Sequence, residues 1–373
     1  MPTEPLSVRY RPKKFADVVG QEVAVKTITN AFKDKNLHHA YIFEGFHGCG
    51  KTSSARILAA MENCKEGPTL DPCGKCTNCI EIFAGKSLDV KEIDAASNRG
   101  VDDIRQIKED IRYSPMQCRT KYVIIDECHS LTSIAAEALL KSIEEPPPHV
   151  RFILATTEAF ALKPTIHSRC QTLQFTKVSW HQIYGHLVNV AQQEGMSFEE
   201  EALKLAAKRA KGSIRDALQN LQSLKDYSGS DKITLDASQK ALGSISETVF
   251  FDLIAHIMTP DVPKAMLKIN DLVVAAKNSE QIIKGLEEHL SNLLVIAACK
   301  ENVTGLGFTE DEVKRYSNQA QTARPILVSK MLSMLIDVQR AISLNLDAQN
   351  YLEKFVVDSI IEKARLTKDS KKV

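Results

Sequence analysis

The stretch Gly45-Phe46-His47-Gly48-Cys49-Gly50-Lys51-Thr52 decides the fold of this chain. It follows the apolar run Tyr41-Ile42-Phe43 and precedes a helical pattern that begins at Ser53, so it has the composition and the context of a phosphate-binding P-loop. The glycines allow successive backbone N–H groups to turn toward phosphate oxygens, and the helix adds the positive end of its dipole. We therefore expect Lys51 to reach the β- and γ-phosphates of a nucleotide and the Thr52 hydroxyl to hold Mg²⁺.

A second motif, Tyr122-Val123-Ile124-Ile125-Asp126-Glu127, indicates a buried parallel strand that ends in two acids. Ligands of parallel sheets bind beyond the carboxyl ends of the strands. This position predicts that Asp126 holds Mg²⁺ and that Glu127 orients a water molecule, which together with a P-loop lysine is a sufficient core for phosphoryl transfer. The alternative is a strand that ends in solvated acids, and the intact P-loop favours the functional interpretation.

The length and charge of the chain set broad limits on its function. Its 373 residues allow two or three domains. The formal net charge is only +1, so any nucleic-acid contact must come from local patches or from several subunits that line one surface. The apolar run Leu293 to Cys299 is too short to cross a bilayer, and Met1 to Pro5 precede no signal-like stretch. We expect a cytoplasmic protein with no membrane contact.

Four of the nine cysteines fall within 16 residues, at Cys64, Cys73, Cys76 and Cys79. In a reducing compartment such a cluster favours metal ligation over disulfides. Four thiolates with two-residue spacings are typical of a closed structural zinc site, which has no open position for catalysis. A redox pair or unrelated free thiols are the alternatives. The remaining cysteines are expected to be small packed residues.

The order of the patterns predicts three domains. Strand-like runs at residues 40–43, 90–93, 122–125 and 152–156 alternate with helical patterns, which is typical of an α/β fold with a doubly wound parallel sheet. After Lys177 only helical patterns follow. We predict a nucleotide-binding domain over residues 1–178 with a zinc module at 63–80, a small helical lid over 179–243, and an all-α collar for oligomerisation over 244–373.

The motifs together resemble those of the gamma/tau subunits of bacterial DNA polymerase III clamp loaders, a family of AAA+ ATPases. The resemblance covers essentially the whole chain. It rests on the P-loop, the four cysteines and the following segments: Arg9 to Pro12, Phe15 to Gln21, His38 to Tyr41, Glu92 to Ser97, Asp126-Glu127, Leu139 to Lys141, Glu144 to Pro147, Leu154 to Thr157, Ser168 to Cys170, and Gly212 to Leu218.

The resemblance implies further site residues. The segments from Arg9 to Arg11 and from Val18 to Gln21, which include Val19, would form the adenine pocket. Thr157 would be the polar sensor of the γ-phosphate, and Arg215 would be a second sensor that reaches the nucleotide from the lid. Arg169 would be an arginine finger for the ATP of a neighbouring subunit, a role that can speed turnover by roughly 10³ to 10⁵. Without the resemblance, both arginines are expected to be solvated or ion-paired surface residues.

The resemblance also implies an ATP-hydrolysing motor subunit that uses ATP, Mg²⁺ and Zn²⁺. Its partners would be the other loader subunits in a hetero-pentamer, the sliding clamp and primer-template DNA. Two alternatives stay open: a non-hydrolysing structural subunit of the same loader, and a branch-migration or helicase motor of the same superfamily. Arg99 and Arg105 are candidate contacts with DNA phosphates near a helix N-terminus, and a solvated helix face is an equally good interpretation of them.

Overall fold

Five parallel strands form the sheet in the N-terminal part of the chain. The computed structural model describes residues 4–97, 100–243, 247–259, 261–275, 279–299, 308, 310–344 and 346–369. The strands are β1 (Ala40–Gly45), β2 (Val90–Asp94), β3 (Lys121–Asp126), β4 (Val150–Thr156) and β5 (Gln171–Phe175). They lie in the order β2-β3-β4-β1-β5, and every pairing is parallel. The carboxyl ends of β1, β3 and β4 therefore meet at one edge of the sheet.

Strand β5 was not predicted, whereas the other four coincide with the predicted runs. It pairs only with β1, at the edge of the sheet. Leu173 and Phe175 are buried, but Thr172 and Gln174 are exposed. A five-residue edge strand with two buried side chains has too short an alternation to be recognised in the sequence.

Helices cover both faces of this sheet. Neighbouring side chains on a strand enter two separate cores, since Tyr41 and Phe43 pack in one and Ile42 packs in the other. The helices over residues 4–243 are α1 (Leu6–Arg9), α2 (Glu22–Lys33), α3 (Lys51–Asn63), α4 (Thr77–Ala84), α5 (Val101–Asp110), α6 (Ser133–Glu144), α7 (Pro164–His167), α8 (Trp180–Gln193), α9 (Glu200–Arg209), α10 (Ile214–Ser228) and α11 (Leu235–Ala241). The predicted parallel α/β architecture is confirmed.

Helices α8 to α10 lie in the predicted lid, and capping residues define where two of them begin. The Ser179 side chain accepts a hydrogen bond from the Gln182 N–H, and the Gln182 side chain returns to the Ser179 N–H. Ser213 Oγ accepts a hydrogen bond from the Asp216 N–H at 3.1 Å. The second cap begins α10 beside the P-loop, as described below.

The chain divides into two compact units, Met1–Ser238 and Gln239–Val373. Most of the described part of the second unit consists of α12 (Glu247–Met258), α13 (Val262–Ala275), α14 (Ser279–Cys299), α15 (Glu310–Ala320), α16 (Pro325–Ser343) and α17 (Ala348–Asp369). Their apolar faces share one core around residues such as Leu286, Leu335 and Phe355. The predicted helical C-terminal region is confirmed. In the described chain, every helix is too short or too polar to cross a bilayer.

Candidate nucleotide-binding site and cysteine cluster

The P-loop connects the end of β1 to the start of α3 and depends on glycine at two positions. Gly48 and Gly50 have left-handed φ angles of 68° and 105°, which side chains with a Cβ rarely adopt. At Gly48 a Cβ would also lie 2.0 Å from Ser213 Oγ. Glycine at position 48 therefore permits both the turn and the close approach of the lid.

Lys51 is the first residue of α3, and its side chain returns to the loop. The Nζ donates hydrogen bonds to the carbonyl oxygens of Gly45 at 2.7 Å and Phe46 at 3.0 Å. The residue is only 5% exposed. A buried ammonium group needs such partners, and these two carbonyls hold the positive charge inside the loop.

Asp126 at the end of β3 connects the sheet to the P-loop helix. The Thr52 hydroxyl donates a hydrogen bond of 2.6 Å to Asp126 Oδ2, and the Glu127 N–H donates one of 3.0 Å to Asp126 Oδ1. A hydroxyl and a carboxylate are hard oxygen ligands of the kind that Mg²⁺ prefers. The residues present therefore fit a magnesium ion held between α3 and β3.

The neighbouring acid has different partners. Glu127 has a left-handed φ of 47°, a conformation that costs energy in a residue with a side chain. Its Oε2 accepts a hydrogen bond of 3.1 Å from the Thr157 hydroxyl just beyond β4, and His129 Nδ1 lies 3.4 Å from the same oxygen. Two adjacent carboxylates are thus separated, one toward Thr52 and the other toward Thr157.

A cleft runs from these acids to the lid and the N-terminal segment. The residues that line it are Ser7, Tyr10, Arg11, Pro12, Asp17, Val18, Val19, His47 to Ser53, Asp126, Glu127, His186, Ile214, Arg215 and Leu218. Most of the predicted site residues are therefore in one place. Within the described chain, Arg9, Gly45, Phe46, Thr157 and Arg169 do not line it.

Eight lining residues were not proposed individually from the sequence: Ser7, Tyr10, Pro12, Asp17, Ser53, His186, Ile214 and Leu218. Tyr10 lies inside the Arg9-to-Pro12 segment, which was a usable signal. Ile214 and Leu218 lie inside the Gly212-to-Leu218 segment, which was also a usable signal. His186 occupies an ordinary helical position in α8, so no local pattern distinguishes it from other residues of that helix.

The lid is hydrogen-bonded directly to the P-loop. The N–H groups of Ile214 and Arg215 both approach the carbonyl oxygen of Gly48, at 3.1 and 3.4 Å. His47 Nε2 lies 3.2 Å from Asp216 Oδ2. The start of α10 is therefore held against the loop, and Arg215 lines the cleft.

The cleft contains a group of cations. Burial and the nearby Arg56 lower the pKa of Arg11, and Arg215 acts in the same direction. Glu92 and Asp126 oppose these effects only in part. An anion such as a phosphate group would relieve this repulsion.

The other predicted arginines lie elsewhere. Arg9 Nη2 is 2.7 Å from Glu194 Oε2. Arg169 is ion-paired with Glu144 at the end of α6, and its Nη1 donates to the Thr165 carbonyl at 2.8 Å. Arg105 is on the exposed side of α5, while Arg99 lies outside the described residues.

The four predicted cysteine ligands come together beside α3 and α4. The sulfur atoms of Cys64, Cys73, Cys76 and Cys79 all lie within 4.8 Å of one another. A tetrahedral ion with Zn–S bonds of about 2.3 Å requires sulfur separations of about 3.8 Å, so the residues fit zinc. Burial raises the pKa of the Cys79 thiol, whereas at Cys76 backbone N–H donors outweigh burial and lower the pKa to about 7. Zinc binds the thiolate form of cysteine.

Comparisons with known proteins identify the family to which the chain is similar. Residues 20–179 match the family described as DNA polymerase III, delta subunit, and residues 182–226 match the DNA polymerase III clamp loader subunit, ATPase lid domain. The chain is 38% identical over 286 residues to DNA polymerase III subunit tau of Bacillus subtilis, an alignment that covers 77% of this chain and 51% of that protein. It is 36% identical over 312 residues to DNA polymerase III subunit gamma of Buchnera aphidicola subsp. Schizaphis graminum, which covers 83% of this chain and 86% of that protein.

A comparison with solved structures matches the chain to the Thermotoga maritima RuvB Holliday junction branch migration motor. Its TM-score is 0.48 at 20% sequence identity, and the match covers 67% of this chain and 79% of that chain. The chain spans about half the length of the tau proteins that it matches.

Proposed function

Because the chain belongs to the family of DNA polymerase III gamma and tau subunits, we propose that it is an ATP-hydrolysing motor subunit of a sliding-clamp loader. The hydrogen bond of 2.6 Å between Thr52 and Asp126 carries the ATPase part of this proposal. It joins the P-loop helix to the end of β3, and Lys51 and Glu127 line the same cleft. A phosphate-binding loop, a metal-holding acid and a water-orienting acid are the parts that phosphoryl transfer requires.

The proposed roles at the phosphate end follow from these contacts. Lys51 exchanges its two carbonyl partners for the β- and γ-phosphate oxygens of ATP. Thr52 and Asp126 hold Mg²⁺, which when bound neutralises charge on the β- and γ-phosphates. Glu127 orients the attacking water and accepts its hydrogen bond, while Thr157 restrains the Glu127 carboxylate and senses the γ-phosphate.

The adenine base and the contacts from the lid are assigned to the other end of the cleft. Val18 and Val19 provide an apolar surface for adenine beside Tyr10, and Arg11 contributes positive charge. Arg215 reaches the phosphates from α10. This assignment is supported by the hydrogen bonds between the start of α10 and Gly48, since they couple the lid to the loop that would hold the phosphates.

Arg169 is proposed to act on a neighbouring subunit. Its guanidinium is held by Glu144 and the Thr165 carbonyl, outside the lining of its own cleft. In an assembled ring it would leave Glu144 and stabilise charge on the ATP of the adjacent subunit. The Cys64, Cys73, Cys76 and Cys79 thiolates are proposed to hold one structural Zn²⁺ ion.

We assign the clamp and DNA steps to the assembly as a whole. ATP binding would favour the arrangement of subunits that holds an open clamp on primer-template DNA. Hydrolysis would favour release of the clamp and the DNA. The reason is that a ligand shifts an equilibrium only by its differential affinity for the two states. Exposed cations such as Arg105 would contact DNA phosphates without reading bases. A replication role would place the protein in the cytoplasm with the chromosome.

The test is steady-state ATP hydrolysis by the isolated chain and by a loader reconstituted with its partner subunits. We expect low activity alone and a marked increase when clamp and primed DNA are added together. No hydrolysis under any of these conditions would favour a non-hydrolysing structural subunit. Activity that responds to branched duplex DNA but not to the clamp would favour a branch-migration motor.

A further inference from the structure

One carboxylate ties the N-terminal segment to the lid. Glu194 follows the last residue of α8, and its side chain is only 11% exposed. Its Oε1 accepts a hydrogen bond of 2.7 Å from the Tyr10 hydroxyl. Its Oε2 lies 2.7 Å from Arg9 Nη2 and 2.9 Å from Lys225 Nζ on α10. We call these four residues, Arg9, Tyr10, Glu194 and Lys225, the Glu194 latch.

The latch adjoins the nucleotide cleft through Tyr10. The hydroxyl of Tyr10 donates a hydrogen bond to Glu194. Tyr10 also lines the cleft, together with Arg11 and Pro12. On the other side of the latch, α10 carries Lys225 and also Arg215, which lines the cleft. The latch therefore joins two groups of cleft residues that are about 200 positions apart in the sequence.

Packing of α1 supports the same connection. Leu6 is fully buried, and its N–H donates a hydrogen bond of 3.3 Å to Gln222 Oε1 on α10. Helix α1 has only four residues, so it depends on tertiary contacts for its position. Charge-assisted hydrogen bonds are among the stronger polar contacts in proteins, and three of the donors that fix this segment meet at Glu194.

We propose that Glu194 is a positioning residue for nucleotide binding, which holds Tyr10 and Arg11 in the cleft and makes them move with the lid. Glu194 acts through these residues and does not contact the nucleotide. The proposal also gives Arg9 a role in the latch in place of a direct role in the adenine pocket. It rests on the proposed function, because it concerns the site to which we assign ATP.

The expected consequence is a change in affinity. Without the latch, the N-terminal segment would occupy its binding position for only part of the time, and the apparent dissociation constant rises as that occupied fraction falls. The Glu127 side of the cleft keeps its own contacts with Thr157 and Asp126. Loss of the latch should therefore raise KM for ATP and leave kcat at saturating ATP nearly unchanged.

The experiment compares Glu194→Gln with the unchanged chain by calorimetric titration with ATP and Mg²⁺ and by steady-state kinetics of the reconstituted loader. We expect Kd and KM to rise about tenfold, as for an occupied fraction of roughly one tenth. The control is Glu201→Gln, which removes an exposed lid carboxylate that pairs with Lys204 at 2.8 Å on α9. The control should bind ATP like the unchanged chain.

Tyr10→Phe provides a milder second test, because it removes only the hydroxyl that binds Glu194. If Tyr10 and Glu194 act through one contact, their effects on ATP affinity should not add. The double variant should then have the same Kd for ATP as whichever single variant binds ATP more weakly. A melting temperature lowered by Glu194→Gln with Kd unchanged would assign Glu194 a purely structural role and overturn the proposal. Additive losses in the double variant would also overturn it. Failure of the unchanged chain to bind ATP would instead refute the proposed function.

Discussion

Lys51 and Glu127 line the same cleft, and their contacts assign them different tasks. Lys51 donates to two P-loop carbonyls, whereas Glu127 is held by Thr157. We predict that Lys51→Ala weakens ATP binding as well as turnover, because it removes a charge that addresses the phosphates. We predict that Glu127→Gln retains binding and lowers hydrolysis by roughly 10² or more, since it removes a group that acts only on the attacking water.

Calorimetric titration with ATP and single-turnover release of phosphate by the assembled loader measure the two effects separately. The exposed lid variant Glu201→Gln serves as the control for loss of one carboxylate. Normal hydrolysis by Glu127→Gln in the loader would show that this residue has been assigned the wrong role.

At the scale of the elements, α1, α8 and α10 are joined by a carboxylate with an unusual pKa. The hydrogen bond from Lys225, aided by those from Tyr10 and Arg9, outweighs burial and lowers the pKa of Glu194 from 4.5 to about 2. A depressed folded-state pKa contributes stability that is fully present above the unfolded pKa and is lost as the pH falls through the folded value. The melting temperature of Glu194→Gln should therefore lie furthest below that of the unchanged chain at neutral pH.

The difference in melting temperature between the two chains should shrink between about pH 5 and pH 3. Over this range the unchanged chain loses the stability that ionised Glu194 contributes, whereas the variant lacks that carboxylate. Circular dichroism melts of both chains over this range give the measurement. A difference that stays constant or widens on acidification would contradict the assigned pKa shift.

The cysteine cluster is a second feature of this scale, since it joins the end of α3 to the start of α4. Cys64 follows α3, and Cys76 caps α4 by accepting the Cys79 N–H. We predict one Zn²⁺ per chain in protein purified without chelator, and loss of that zinc with lower thermal stability in Cys76→Ser. ATP affinity should change little, because a closed four-thiolate site has no position for substrate.

Elemental analysis by mass spectrometry counts the zinc. Cys118→Ser is the matched control, because Cys118 is a partly buried thiol outside the four-cysteine cluster, and it should keep the metal. Zinc-free protein from a chelator-free purification would refute the site.

At the scale of the whole molecule, Arg169 is the residue that we propose connects the chain to an assembly. Its guanidinium contacts Glu144 and Thr165, outside the lining of its own cleft, so we predict that it acts on the ATP of an adjacent subunit. Arg169→Ala should bind ATP normally yet lower hydrolysis at the neighbouring site, by roughly 10³ if the guanidinium acts as a finger. The assay mixes Arg169→Ala chains with Lys51→Ala chains in one reconstituted loader.

Some junctions in that mixture would pair an intact P-loop with an intact arginine and should retain partial ATPase activity. Light scattering provides the control for assembly. An assembled mixture that is as inactive as either variant alone would assign Arg169 to a structural ion pair with Glu144.

Local patterns alone determined the parts of this protein whose chemistry is contained in a short stretch. The P-loop and the apolar run that ends in Asp126 each carry their own signal, because a turn that needs glycine and a strand buried on both faces restrict every residue within them. The cysteine spacing predicted which four thiols would meet. The exclusively helical patterns of the C-terminal region likewise predicted the helices α12 to α17 that the structure contains there.

The tertiary structure alone decided which distant residues share the cleft and which do not. Strand β5 depends on its pairing with β1, and His186 lines the cleft because α8 packs against α10, which also lines it. Arg9 belongs to a recognised motif, yet it binds Glu194, which no pattern near either residue predicts. The physical reason is that ion pairs and edge-strand pairings are formed between segments far apart in the chain, so their partners are determined by packing and leave no periodic trace in the sequence.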